Sequence, residues 1–461
     1  MANLRGLVTR VFCVLAVSVV PVATVSAKVS AEEAAKLGDT LTPVGAIKKG
    51  NDEGSIPEWN PWPQKGDLSG QDLTAENFPD TIGKLLEEEP KTVLTKDNYS
   101  EHADKLTKGH QALFELYPDY RMQVYPTHRN VGYPEEVYKY SKTNATTSYM
   151  DGCNDCVRDA EFGFPFPIPK NGVEVMWNHR LRWRGEHVER NNDQAIVQQS
   201  GSKQVTKLVE NVKFPYTLLG GEHQRIDDKD DIMIYYQSET TSPPRNAGQY
   251  LLAWEHVGYR SAWLYNPGLR RVRRAPNVQY DNPYEGTDGQ QFYDQVDMYN
   301  GAMDRYDYKL VGKKEMLIPY NNYAINQPDL EYEADLLGDK HLNQDLMRYE
   351  LHRVWVVDAT LRDGTSHQFK RRTFYIDEDG WNIVAVDCYD NRDDLWKFQE
   401  AANTHLTTGQ FVGGAPELIY DLQSGLYFAT AMINEGKPND FSVAYDDQYF
   451  SAQALKRRTS R

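Results

Sequence analysis

Polar and apolar residues alternate along much of this chain, and a period of two is the mark of a strand with one face buried. Residues 173–184 alternate so that Val175, Trp177, His179, Leu181 and Trp183 share a face, which predicts a strand. Residues 232–236 and 250–254 read as short apolar strands, and residues 351–357 place Leu351, Arg353, Trp355 and Val357 on one side. Residues 371–376 and 381–386 flank Asp377-Glu378-Asp379-Gly380, a turn whose Asp-Gly pair predicts a hairpin. A second hairpin is predicted from residue 263, turning at Asn266-Pro267-Gly268 and returning as the basic strand Arg270-Arg271-Val272-Arg273-Arg274. Residues 416–434 are ambiguous, with a helix expected around 424–431.

Helical spacing is rarer. Between residues 95 and 117, Tyr99, Ala103, Leu106, His110, Leu113, Phe114 and Tyr117 form one stripe, so a single amphipathic helix is expected there, ended by Pro118. Such a helix must lie against a sheet or close an opening in one, with His110 packed inside. A short helix is expected at residues 30–38, where Ser30 and Glu33 form a capping box and Gly38 is the stop. Residues 41–90 are rich in Pro, Gly, Asn and Asp and read as an extended arm, pinned by Trp59 and Trp62. Strands outnumber helices, no strand–helix–strand rhythm is present, and no fixed-period repeat supports a propeller. The expected fold class is mainly β with a few helices. The expected organisation is a signal segment at 1–27, an arm at 28–94 and one β domain at 95–461.

Composition fixes the compartment. Arg5 and Arg10 precede the apolar run 11–20, and Val25-Ser26-Ala27 has small residues where a signal peptidase reads, so residues 1–27 are expected to be a cleaved export signal. The 461-residue chain has a net charge of −16, and loss of Arg5 and Arg10 makes it −18. That balance argues against nucleic acid or an anionic membrane as a partner, since attraction to phosphate needs clustered Lys and Arg. The cluster at 270–274 is read as an edge strand whose arginines pair with the chain's own carboxylates. The last basic run, Lys456-Arg457-Arg458, is read as a solvated end.

In an oxidising compartment Cys153 and Cys156 are expected to close a small disulfide, with Cys388 a buried free thiol. A thiol-redox centre is the alternative, but acidic neighbours Asp151, Asp155 and Asp159 would raise a thiol pKa. No nucleophile elbow, phosphate loop, dinucleotide fingerprint or zinc motif occurs. His179, His187, His223, His256, His341, His352 and His367 stand isolated in sequence. Asp227-Asp228-Lys229-Asp230-Asp231 lacks the Gly and terminal Glu of a calcium loop, and it and Asp377-Glu378-Asp379 read as solvated turns. No catalytic residue, metal or cofactor is expected, and an enzyme is not the reading.

The segment 262–276 resembles a hairpin of the outer-membrane lipoprotein-sorting-like proteins, and residues 371–376 and 381–398, with Cys388-Tyr389-Asp390 and Leu395-Trp396-Lys397, resemble that group's closing strands. Over nearly the whole length the chain resembles a proteobacterial family, domain-of-unknown-function family 1329, through residues 41–45, 56–59, 94–98, 164–169 and 177–179. The resemblance implies a LolA/LolB-like curved antiparallel half-barrel with helices covering its concave mouth. It also implies a periplasmic or outer-membrane-associated carrier or chaperone of a lipid-like hydrophobic ligand. Its partners would be an outer-membrane β-barrel protein or an exporter of the resistance–nodulation–division (RND) type. The alternatives are an accessory protein that docks on an envelope transporter and carries nothing, or a thiol-redox enzyme using Cys153 and Cys156. Cavity candidates are Trp177, Trp183, Trp263, Tyr265, Trp355, Phe374, Trp381 and Ile383, with the concave strand face left open.

Overall fold

The computed structural model describes residues 28–62, 72–275, 279–406 and 410–460; the export segment read at 1–27 lies outside them. Chain order gives β1 (Thr92–Leu94), β2 (Met122–Val124), the small pair β3 (Tyr149–Met150) and β4 (Val157–Arg158), then β5 (His187–Asn191), β6 (Asp193–Val197) and β7 (Lys203–Lys213). There follow β8 (Ile232–Ser242), β9 (Tyr250–His256), β10 (Arg260–Asn266) and β11 (Arg271–Arg274). The second half supplies β12 (Tyr306–Pro319), β13 (Tyr349–Leu361), β14 (Arg371–Asp377), β15 (Ile383–Tyr389), β16 (Leu395–Leu406), β17 (Phe411–Asp421) and β18 (Leu426–Met432).

Among the described residues, all of these except β3 and β4 join one open sheet, in the order β1-β2-β13-β14-β15-β16-β17-β18-β6-β7-β8-β9-β10-β11. β12 adds to β13 and β5 to β7. Pairing is antiparallel apart from one parallel contact of Tyr349 with Val124. Two meanders, 13–18 and 6–11, are therefore stitched into one wall by the β18–β6 ladder.

Register assigns the two faces. On the inner face Glu210 lies opposite Ser238, Ser238 opposite Leu251, Leu251 opposite Leu264 and Leu264 opposite Arg273. On the outer face Trp263 and Tyr265 alternate with Leu264. There they pack with Leu252 beneath Phe450 and Leu455, the latter on α6 (Ala452–Thr459). In α6 Lys456 and Arg457 are exposed, as a solvated end requires, while Arg458 lies 4.1 Å over the Tyr449 ring.

Helix α1 (Ala31–Ala34) has the expected capping box from Ser30 and Glu33. The arm behind it is tied down by backbone acceptors: Val44 O takes the Trp381 indole N–H at 2.8 Å, and Ile47 O takes Arg129 at 2.8 Å and Arg353 at 3.0 Å. Gly45 has φ +101°, and a Cβ there would sit 1.7 Å from Pro167 O, so only glycine lets the two segments approach. Trp59 donates to Val131 O at 2.9 Å and Trp62 stacks on Tyr323.

Three sequence expectations are corrected. Residues 173–184 are no strand: α5 (Gly172–Arg180) forms there, capped by Asn171, which accepts from the Glu174 N–H at 3.0 Å. Eight of its nine residues are buried, so neither a polar face nor a helical period could be read. The single helix at 95–117 is a 3-10 segment (Tyr99–Lys105) followed by α3 (Lys108–Leu116), with extended Leu106 between them. The break comes from a new start: Thr107 caps the His110 N–H at 3.0 Å, and Asp387 accepts the N–H groups of Lys108 and Gly109. α3 lies on the outer face, where a Cβ on Gly109 would strike the Phe398 ring. Residues 424–431 are not helical; β17 and β18 pair there, both almost wholly buried, which removes the alternation that marks a strand.

The turn after β14 is a fourth correction. Asp377, Glu378 and Asp379 are buried, not solvated. Arg129 forks both oxygens of Asp379 at 2.7 and 2.8 Å, while Arg353 and Lys313 each reach Glu378 at 2.6 Å. Arg129 and Arg353 also hold the arm's carbonyls, so the acidic turn is the lock that fastens the arm to the sheet.

Candidate functional site

The inner face is largely covered. α5 packs on β12 and β13, and residues 279–303 cross the sheet, anchored by polar side chains. Asp294 accepts from Arg372 at 2.8 Å and pairs with His367 at 3.0 Å, and Gln295 donates to Gln399 at 3.0 Å. Asp297, at φ +55°, takes both Arg182 and Arg184, while its carbonyl lies 3.0 Å from His179 Nε2. Burial and Arg182 hold His179 neutral, well below its usual range, and its Nδ1 accepts the Ile383 N–H at 3.1 Å.

What remains uncovered is a hollow of about 130 Å³ between this crossing segment and the faces of β5, β7, β8, β9, β10, β17 and β18. At roughly 10–15 Å³ per water-sized group, it admits about ten such groups. Its apolar lining includes Val212, Phe214, Ile234, Phe411, Ile433 and Phe441. Its ionic lining is paired across strands: Arg190 with Glu210 at 2.7 Å, and Arg260 Nε with Glu255 at 2.9 Å. Nη1 of buried Arg260 has no hydrogen-bond partner. Burial pushes the Arg184 guanidinium down to about 10, against the pull of Asp297 and with the repulsion of Arg182 and Arg190. Burial, with the Asp297 carboxylate beside it, pushes Glu417 up to about 8 against Arg190 and Arg182. The hollow is therefore amphiphilic: greasy over much of its wall, with guanidiniums and a largely neutral carboxyl at its polar end.

A second hollow, of about 340 Å³, continues along the same face and shares Gln194 and Tyr284 with the first. Leu251, Leu264, Leu269 and Tyr293 line it, and Arg271 and Arg273 stand at its edge.

The eight sequence candidates fall elsewhere, with one exception. Trp177 is fully buried on α5, its indole donating to Asn154 O at 2.8 Å beneath the Arg180 guanidinium. Trp183 packs on Phe162, and Phe374 meets Tyr299 edge-on. Trp355 and Trp381 stack at 6.0 Å, and Ile383 is core. Trp263 lies under α6 on the outer face; Tyr265 shares that face but also lines the second hollow. The lining that sequence reading passed over is ionic. Its one available signal was charge inside apolar strands, as with Glu210 in β7 and Glu255 in β9.

Two other chemistries can be placed. Cys153 and Cys156 are joined as a disulfide, as expected, and Cys388 is a buried free thiol whose pKa burial raises. Within the staple, Asn154 donates to Met303 O and Tyr306 O, and Asp155 binds Arg180 and the Met303 N–H. The bridge thus presents two side chains that join α5 to the crossing segment. His352, Asp377 and Asp379 bring ligand atoms within 4.8 Å of one another. Most of their ligand atoms are engaged: Arg129 forks Asp379, Glu350 pairs with His352 Nε2, and Asp377 Oδ2 accepts the Gly380 N–H, while Asp377 Oδ1 has no hydrogen-bond partner. A cation held by all three side chains would have to displace the Arg129 guanidinium from Asp379, so they do not stand as a ready metal site.

The family model described as "Protein of unknown function (DUF1329)" matches residues 93–456. The chain belongs to this family. An uncharacterised protein of Pseudomonas aeruginosa is 42% identical over 443 residues, which is 95% of each chain. Among solved structures, a putative outer membrane lipoprotein-sorting protein domain from Vibrio parahaemolyticus is similar at a TM-score of 0.43 and 14% identity, covering 62% of this chain and 98% of that one. A DUF1329 family protein from Desulfovibrio piger gives 0.40 and 15% (59% and 92% covered), and a LolA superfamily protein from Nitrosomonas europaea 0.37 and 10% (61% and 98%). The mainly β class with few helices, read from the strand pattern, holds for the described residues. No helix among them is long and apolar enough to cross a membrane.

Proposed function

We propose that this protein is a periplasmic, non-enzymatic carrier of an amphiphilic, lipid-like molecule. The observation that carries the reading is the inner-face hollow, whose wall joins apolar side chains to a buried cluster of guanidiniums. An acyl or ring system entering it gains ~25 cal/mol for each Å² of apolar surface removed from water. A polar head group meets Arg260, Arg190 and the Glu417 carboxyl in place of bulk solvent. Residues 279–303 roof the hollow through Asp297, so loading and release compete with the Asp297–Arg182 and Asp297–Arg184 pairs. Transfer then requires an acceptor of higher affinity and no bond making. An outer-membrane β-barrel protein or an RND-type exporter is the proposed acceptor or donor.

The test is retention and filling. Native mass spectrometry of the protein, followed by solvent extraction, is expected to release a stoichiometric amphiphile. Ile234→Trp, placed in the hollow, should cut binding of a fluorescent hydrophobic probe at least tenfold with little change in melting temperature. A protein that retains nothing and ignores both probe and substitution is instead the accessory docking protein, a reading favoured by how fully α5 and residues 279–303 already occupy the inner face.

A further inference from the structure

The basic hairpin is not used by the hollow-based reading, and its geometry is unusual for an acidic chain. β11 is the last strand of the sheet, and among the described residues it pairs with β10 alone. Arg270, Arg271, Arg273 and Arg274 are exposed, and among the described residues none of them is ion-paired to a carboxylate. This corrects the expectation that they neutralise the chain's own acids. At the turn between the strands stands Leu269, 55% exposed, the most exposed of the large apolar side chains described. Charges on an edge strand also discourage strand-to-strand aggregation. That role gives no reason for a bare leucine beside them, nor for a hollow that opens between Leu264, Leu269, Arg271 and Arg273.

An apolar tip ringed by unpaired arginines is complementary to one kind of surface, a bilayer bearing phosphate head groups. We propose that the β10–β11 hairpin docks on anionic phospholipid, with Leu269 entering the head-group layer and Arg270, Arg271, Arg273 and Arg274 meeting lipid phosphates. The net charge of −16 does not prevent this. Charges beyond about 8 Å are screened at physiological ionic strength, and Glu285 is the one carboxylate in the lining of the adjoining hollow. Docking stands on the hairpin alone. Its consequence, that the second hollow faces the membrane and receives or delivers cargo there, rests on the carrier reading.

Flotation of the purified protein with phosphatidylglycerol-containing vesicles tests the docking, with pure phosphatidylcholine vesicles as the comparison. Binding is expected only to the anionic vesicles and is expected to fall as salt rises. Each surface arginine contributes about five-fold in affinity, so the triple substitution Arg270→Gln, Arg273→Gln, Arg274→Gln should weaken binding by roughly a hundred-fold. Leu269→Ala should weaken it several-fold while leaving the salt dependence unchanged. All four side chains are exposed and none lines the first hollow, so circular dichroism and the probe binding that Ile234→Trp blocks there should match the wild type. Equal binding to both vesicle types, no binding to either, or indifference to the triple substitution overturns the docking. Probe binding without vesicle binding sinks this proposal and spares the carrier; vesicle binding without probe binding does the reverse.

Discussion

Glu417 faces the hollow from β17, and its carboxyl, pushed up to about 8, is protonated at neutral pH. Between about 4.5 and 8 the folded protein holds this proton while the unfolded chain has released it. The contribution to stability is therefore full below pH 4.5 and declines as pH rises through 8, by about 1.4 kcal/mol for each pKa unit between the two states. Glu417→Gln, neutral at every pH, should flatten that decline. Melting temperatures measured from pH 5 to pH 9 are expected to converge at the acid end and to favour the variant at the alkaline end; parallel curves would contradict the assignment. At this scale the sequence was partly legible. Cys153 and Cys156 could be paired from spacing and compartment, and Cys388 read as a buried free thiol from its apolar strand. Arg190 and Glu210 could not, because two residues on antiparallel strands face each other only through a register that other residues set.

Among the elements, the four-residue disulfide loop does more than close on itself. Asn154 and Asp155 hold Trp177, Arg180 and Met303, so the staple orders the junction of α5 with the crossing segment. Loss of the bridge in a Cys153→Ser, Cys156→Ser double variant should cost about 2 kcal/mol by loop entropy, read as a lowered denaturation midpoint. Hydrophobic-probe affinity should stay within about twofold, because neither sulfur touches the hollow; a complete loss of function with an unchanged midpoint would restore the redox reading. The elements whose type was misread from sequence share one cause. α5, β17 and β18 are buried on every side, so their polar and apolar positions follow no period. The hairpins β10–β11 and β14–β15 keep a one-sided or turn-marked pattern and were found.

For the whole molecule, the decisive joint is β18 against β6, where Tyr427 to Ala429 pair with Ala195 to Val197 and Ile196, Ile419 and Phe428 form a shared cluster. Each meander then lends an edge to the other, and the hollow spans both, with Glu417 and Phe411 from one and Arg190, Ile234 and Arg260 from the other. Scanning calorimetry should accordingly show one transition in which calorimetric and van't Hoff enthalpies agree. Two separated transitions would mean that the meanders fold independently and that the hollow is an interface between domains.

The sequence by itself determined the β-rich class, the two signalled hairpins, the disulfide and the basic edge, because each depends on residues near one another in the chain. Tertiary structure alone decided which strand face is covered and by what. It placed Trp263 under α6, set α5 and residues 279–303 across the inner face, and left the hollow to arginines and glutamates brought together from distant strands. Those choices follow from long-range register and from the volume that buried segments fill, and neither leaves a periodic trace in the order of residues.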